Sequence, residues 1–175
     1  MLFLFERIKR RVKKIKNKYF PSREQRLQKK RTDDIKNKVS RCGNNLTVFG
    51  EVEMVCPNKV SIGNNCRLNN HVYINARSSV ELGNDVTISY GAKILSTGYD
   101  LEHWIDTGEK KHIEDQPVYV GNHCWIGAGA IILPGVRITG EYVVVAAGAV
   151  VTRSVSENRV IIAGNPAKIV KWIEV

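Results

Sequence analysis

The sequence predicts a mainly β chain wound as a three-sided prism, with a helical segment before it and a short helix after it. Three observations predict this. Bare aliphatics recur every sixth residue: Val120, Ile126, Ile132 and Ile138 in one stretch, Ile62, Leu68, Ile74 and Val80 in another, then Leu82, Ile88 and Ile94 two residues out of phase. Four residues after most of these stands a smaller residue: Cys66, Val72, Ser78, Val86, Ala92, Cys124, Ala130 or Val136. Turn formers follow the aliphatic, as in Ile62-Gly63-Asn64-Asn65, Leu82-Gly83-Asn84-Asp85 and Val120-Gly121-Asn122. A period of six fits neither a helix nor an ordinary two-sided strand, and requires a coil whose flat sides each take six residues. One inward aliphatic, one smaller inward neighbour and a tight corner make one side.

The chain divides into three parts. Residues 1–41 form a basic helical segment, 42–166 the repeat domain, and 167–175 a C-terminal helical cap. In the first part, Phe5, Ile8, Val12, Ile15 and Tyr19 make a helical stripe among lysines and arginines, which Pro21 ends. Met1 to Phe5 is too short for a signal-peptide core or a membrane span. Two readings of the stripe stand: residues 1–20 rest on an anionic membrane, or they pack on the prism or a neighbouring subunit with their charges solvated. The formal charge is +10, but the first 41 residues carry +12 and the rest −2. Basicity therefore belongs to the tail, and the coils lack the basic, aromatic-laced surface of a nucleic-acid binder. A second helical piece, about Ser22 to Val39, is charge-rich and reads as a connector or cap.

Within the repeat domain each coil covers the edge of the next, and the ends need caps. Two irregularities stand out. Val145 follows Ile138 after seven residues, with Thr139-Gly140 absorbing the extra one as a corner bulge. The segment 97–116 has no period and is rich in charge and aromatics; a loop of this length inside a compact array is usually functional. The cysteines, Cys42, Cys56, Cys66 and Cys124, show no metal-like spacing and read as free thiols of a reduced, cytoplasmic protein, with Cys66 and Cys124 as compact inward fillers. His71 and His123 share an outward phase near corners, whereas His103 and His112 lie in the loop. Ala167 to Ile173 reads as a short helix or cap, with Trp172 a packing residue and not a chemical one.

These patterns resemble the hexapeptide-repeat, left-handed parallel β-helix acyltransferases over roughly residues 45–171. Left-handed crossovers are an exception to the usual rule, so the hand is implied by the resemblance alone. Asn122-His123-Cys124-Trp125-Ile126-Gly127-Ala128-Gly129-Ala130, Leu133-Pro134-Gly135-Val136, Ala146-Ala147-Gly148-Ala149-Val150-Val151-Thr152 and Ala163-Gly164-Asn165-Pro166-Ala167-Lys168 look like the segments lining the acetyl-CoA cleft in galactoside, maltose and polysaccharide O-acetyltransferases. The resemblance implies a homotrimer with clefts between neighbouring prisms, acetyl-CoA as co-substrate and no metal. It implies donor-binding roles for Trp125, Gly127, Ala146, Ala147, Thr152, Arg153, Pro166, Lys168 and Lys171. The backbone N–H of Ala128 becomes the oxyanion donor, and Asn69 an acceptor contact, though an Asn at a corner is equally a turn residue.

One departure falls at the most important residue. Relatives place the catalytic His directly after the coil, in a Thr-Gly-His or Ser-His-Asp setting, where this chain has Ser96-Thr97-Gly98-Tyr99-Asp100. A phenol, titrating near ~10, is a poor base near neutrality, so Tyr99 is cast with Asp100 on the acceptor side. His103 is then the expected general base and His112 its alternate, with Asp100, Glu102 or Asp106 orienting the imidazole. The expected reaction is acetyl transfer to a hydroxyl of a sugar or cell-surface glycan precursor, both substrates meeting in one cleft. The alternative is a non-catalytic trimeric scaffold or binding protein in glycan assembly. A zinc site like that of the carbonic anhydrases sharing this fold needs a close His-x4-His pair, and histidines separated by 32, 9 and 11 residues contain none.

Overall fold

The six-residue beat appears as stacked coils in the computed structural model, which describes residues 22–113 and 115–174. The amphipathic stripe over residues 5–19 lies outside the described residues. Helix α1 (Arg23–Lys38) starts at a capping box, in which Ser22 Oγ accepts from the Gln25 N–H and Gln25 Oε1 from the Ser22 N–H. The first coil holds β1 (Arg41–Cys42), β2 (Thr47–Val48) and β3 (Val52–Val55). The second holds β4 (Val60–Ile62), β5 (Arg67–Leu68) and β6 (Val72–Asn75), and the third β7 (Val80–Leu82), β8 (Thr87–Ile88) and β9 (Lys93–Leu95). After helix α2 (Leu101–Thr107) come β10 (Val118–Val120), β11 (Trp125–Ile126) and β12 (Ile131–Ile132). The last full coil is β13 (Arg137–Ile138), β14 (Val144–Val145) and β15 (Val150–Val151), followed by β16 (Val160–Gly164) and β17 (Ala167–Trp172).

Through β15 every third strand stacks in parallel, giving three faces, and β16 and β17 extend the second. The first face is β1-β4-β7-β10-β13, the second β2-β5-β8-β11-β14-β16-β17, and the third β3-β6-β9-β12-β15. The hexad aliphatics meet inside, register on register: Leu68 lies over Ile88, and Ile126 between Ile88 and Val145. All eleven aliphatics of the beat are buried to 2% exposure or less. Each contributes about 1.5–3 kcal/mol of apolar burial. Cys66 and Cys124 fill the smaller inward positions as expected. Ser78 does not: it is half-buried and Ala76 takes the interior place. Ser96, wholly buried, plugs that corner by donating to Asn75 O and accepting from the Ser78 N–H.

Corners are held by side chains as well as backbone. The N–H groups of Asn44, Asn64 and Asn84 each donate to the Oδ1 of the Asn one coil on, Asn64, Asn84 and Asn122, at 2.8, 2.8 and 2.9 Å. That ladder satisfies corner N–H groups that no strand pairs. The extra residue after Ile138 sits where expected, in a five-residue corner, Thr139 to Val143, between β13 and β14. Helix α1 closes one end of the stack: Thr32 and Ile35 are buried, and the Val48 N–H of the first coil donates to Thr32 Oγ1 at 3.1 Å.

The C-terminal segment corrects the sequence reading. Residues 167–172 form a strand, not a helix, pairing antiparallel with β16. A turn at Asn165-Pro166 reverses the chain onto the open edge of β16, and an unpaired edge is a strong template for a segment containing Ile169 and Val170. Trp172 on that strand is largely exposed, not packed.

Candidate active site

The corner between the second and third faces gathers most of the residues expected to bind substrate. Successive coils place there Asn69-Asn70-His71, Ser89-Tyr90-Gly91, Gly127-Ala128-Gly129 and Ala146-Ala147-Gly148. Backbone hydrogen bonds fix this vertical order: Gly91 N–H to Asn70 O, Gly129 N–H to Tyr90 O, and Gly148 N–H to Ala128 O. The turn at Asn165-Pro166 follows directly after β16, which stacks beyond this corner through the Ala146 N–H to Ile162 O bond. Lys168 pairs with Ala163 beside it, and Lys171 with Ile161 farther along the second face.

Trp125 projects from the second face just before this corner. Its Nε1–H donates to Ser89 Oγ at 2.8 Å, yet the residue is 53% exposed. The indole N–H is therefore satisfied internally while a flat apolar surface faces outward. Ala128 is exposed, and its N–H has no acceptor among the described residues. Asn69 settles partly as a turn residue: its Nδ2 donates to Ile88 O at 2.9 Å, which leaves Oδ1 directed elsewhere.

The loop leaves from a different corner, between the third and first faces, where Thr152 and Arg153 also lie. Its neck is a small antiparallel pair. Asp100 N–H donates to Lys111 O, Ile113 N–H to Gly98 O, and Tyr99 bridges His112. Helix α2 caps the neck, an element that the absence of any period hid. Asp100 is its N-cap and accepts from the His103 N–H at 3.0 Å, while Gly108 ends it. Asp100 thus fixes the backbone of His103, not its imidazole. His103 is half-buried, and its ring makes no hydrogen bond among the described residues. The His112 ring stacks on Tyr99 at 4.6 Å, with Nδ1 buried and unpartnered among the described residues. Lys110 Nζ lies over the Trp104 ring at 4.6 Å. Among the described residues, no hydrogen bond joins this loop to the Ala128 corner; one whole side of the prism separates them.

His71 and His123 sit exposed at corners in the left-handed conformation, as their phase required. His123 stacks on Tyr142 at 4.5 Å, and His71 meets Tyr90 edge-on at 5.2 Å. Burial pushes the thiols of Cys66 and Cys124 up, the latter to about 11, so both stay protonated and neither serves as a nucleophile near neutrality. Among the described residues, no three His, Cys, Asp or Glu side chains gather where a metal could bind. The sequence reading missed Ser89 and Tyr90. Their signal was present: both stand at the hexad phase of Asn69-Asn70 and Gly127-Ala128.

Residues 117–153 match the family described as bacterial transferase hexapeptide (six repeats). The chain is similar to galactoside O-acetyltransferase of Escherichia coli, 30% identical over 144 residues, covering 82% of this chain and 69% of that protein. It is also similar to protein CapG of Staphylococcus aureus, 41% identical over 119 residues, covering 66% of this chain and 67% of that protein. Among solved structures, a galactoside acetyltransferase in complex with coenzyme A matches with a TM-score of 0.76 at 27% identity, over 94% of this chain and 80% of that one.

Proposed function

The chain belongs to the hexapeptide-repeat acetyltransferases, and from that membership we propose that it moves the acetyl group of acetyl-CoA onto a hydroxyl of a sugar or cell-surface glycan precursor. The observation that carries this reading is the N–H of exposed Ala128, without an acceptor among the described residues, at the corner that directly follows Trp125. A donor aimed at a developing oxyanion needs to be rigid and unspent, and the coil-to-coil bonds around Ala128 supply the rigidity. The pantetheine arm runs along Trp125, with the backbone of Gly127, Ala146 and Ala147 offering polar groups. Lys168, Lys171 and Pro166 of the copy that carries Trp125, with Thr152 and Arg153 of the copy that lends the loop, receive the nucleotide end, since ionic hydrogen bonds to phosphate are the stronger kind.

His103 is the base in this proposal. Its imidazole takes the proton of the acceptor hydroxyl as that oxygen attacks the thioester carbon; the carbon–sulfur bond then breaks and the proton passes to the departing sulfur. His112 is the poorer choice on tautomer grounds. With no acceptor for an Nδ1–H among the described residues, its cheaper neutral form carries the proton on Nε2 and donates there instead of accepting. Asp100 serves as the cap that sets His103 at the first turn of α2, and Tyr99 as the wall against which His112 rests.

A single prism holds the loop and the Ala128 corner one face apart, so the complete cleft takes the loop from one copy and the corner from the next, in a homotrimer. The outer surface of the intervening third face supports this, with Tyr73, Leu95 and Ile131 half-buried there. So does the loop helix, whose Leu101 and Ile105 are 62% and 82% exposed on one side. The basic tail, residues 1–20, serves as a peripheral contact with anionic membrane. The direct test is thiol release from acetyl-CoA with methyl galactoside and related sugars as acceptors. Sugar-dependent release supports the reading. A stable trimer that releases none with any hydroxyl acceptor is the non-catalytic scaffold.

A further inference from the structure

The corner that carries Ala128 has an aromatic side chain directly beneath it. Tyr90 occupies the same corner position one coil below Ala128 and one coil above Asn70, and coils are spaced by about 4.8 Å. The residue is 59% exposed. Its backbone is clamped, Tyr90 O accepting from the Gly129 N–H at 2.9 Å. Its ring is braced on one edge by His71, perpendicular at 5.2 Å and 85°. An exposed aromatic with a clamped backbone and a perpendicular imidazole against its edge presents a defined face, and its neighbours in the column, Asn70, Ala128 and Ala147, carry no ring.

Resting on the reading of Ala128 as oxyanion donor, Asn69 as acceptor contact and a sugar as acceptor, we infer that Tyr90, braced by His71, is the platform on which the acceptor's ring lies, and that it selects cyclic over open-chain acceptors. The vertical order supports this. The acceptor oxygen must approach the thioester carbon beside the Ala128 N–H, while the body of the acceptor extends toward Asn69, and Tyr90 lies between them. Asn69 has spent its Nδ2 on Ile88 O and so presents Oδ1 as an acceptor for a hydroxyl donor. A flat apolar face beside a hydroxyl-accepting amide matches a sugar ring, which has an apolar C–H face and an edge of hydroxyls. A straight-chain polyol carries the same hydroxyls without the face.

The test uses the full-length protein with acetyl-CoA and two probe acceptors, methyl β-galactoside and galactitol. Tyr90→Ala is expected to raise KM for the galactoside about 10-fold, the loss of one aromatic contact of about 1.4 kcal/mol. Its kcat and its KM for acetyl-CoA should stay within about 2-fold, and Tyr90→Phe should restore the wild-type KM. His71→Ala should raise the galactoside KM by a smaller factor. Turnover of galactitol should not respond to Tyr90→Ala. Because Tyr90 is exposed, folding is not at stake, and saturation-transfer NMR on methyl β-galactoside gives a second readout independent of turnover. An unchanged KM and unchanged transfer in Tyr90→Ala, while Asn69→Ala loses the acceptor, overturns the inference and leaves the acetyltransferase reading standing. Wild-type preference for galactitol does the same. Absence of thiol release with any alcohol removes both.

Discussion

Two glycines of the Ala128 corner, Gly127 and Gly129, resist substitution for different physical reasons, and the difference is measurable. A Cβ on Gly127 would fall 2.6 Å from Val145 O, 2.6 Å from Ala147 N and 2.8 Å from Ala146 C. All three are backbone atoms of the next coil, so no side chain can swing aside. The coils must part by several tenths of an ångström at the corner that positions Ala128 and Ala147. Overpacking of this kind costs ~1–3 kcal/mol, and a purely backbone clash belongs at the upper end. Gly129 has nothing within 4 Å of its notional Cβ, but its φ is +65°, which costs an ordinary residue ~1–2 kcal/mol and Asn less. Thus Gly127→Ala should lower Tm by about 6–12 °C, taking 2–4 °C per kcal/mol for a chain of this size. Gly129→Ala should lower it by roughly half as much, and Gly129→Asn should recover most of that loss. Gly127→Asn should be no better than Gly127→Ala. Thermal unfolding followed by far-UV circular dichroism reads all four. A Gly127→Ala variant within 1 °C of wild type would rule out the coil contact, and Gly129→Asn falling below Gly129→Ala would rule out the backbone strain.

Other expectations follow from the same geometry. His103→Ala should cut kcat by ~10²–10⁴-fold with little change in coenzyme A affinity by calorimetry, and full activity there alongside loss in His112→Ala would move the base to His112. Burial holds the Cys124 thiol at about 11 against an ordinary 9.0, so the unfolded chain releases its proton first as pH rises. Stability should therefore fall by up to about 3 kcal/mol between pH 9 and 11 and level off above; urea midpoints across that range should show a shallower fall in Cys124→Ala, and identical slopes would contradict the burial argument. Removing residues 1–20 should abolish sedimentation with anionic vesicles while leaving the coils folded, and unchanged sedimentation would discard the membrane role of the tail.

How much of this was legible in the sequence depends on the range of the interaction involved. The coils were readable because each hexad aliphatic meets its counterparts in register, so one position repeats one environment. The C-terminal strand was not. Ala167 to Ile173 is short enough to satisfy either helix or strand, and the open edge of β16 decides the outcome. Helix α2 escaped for a related reason: two turns with Leu101 and Ile105 exposed leave no buried stripe to detect. The Ser89–Trp125 bond spans 36 residues across the loop insertion, which breaks the count that would have aligned the two coils. That the loop and the Ala128 corner stand one face apart is a property of winding direction and corner order, and no local motif encodes it.

In the proposed assembly, a loop imidazole from one copy meets the Ala128 corner of the next across a bound thioester donor. A crystal structure of the assembled protein with coenzyme A tests it directly. The expected result is a trimer with the thiol sulfur near the Ala128 N–H of one subunit and the His103 ring of its neighbour within reach of the same sulfur. A structure that holds both His103 and His112 far from the sulfur at every subunit boundary would contradict it.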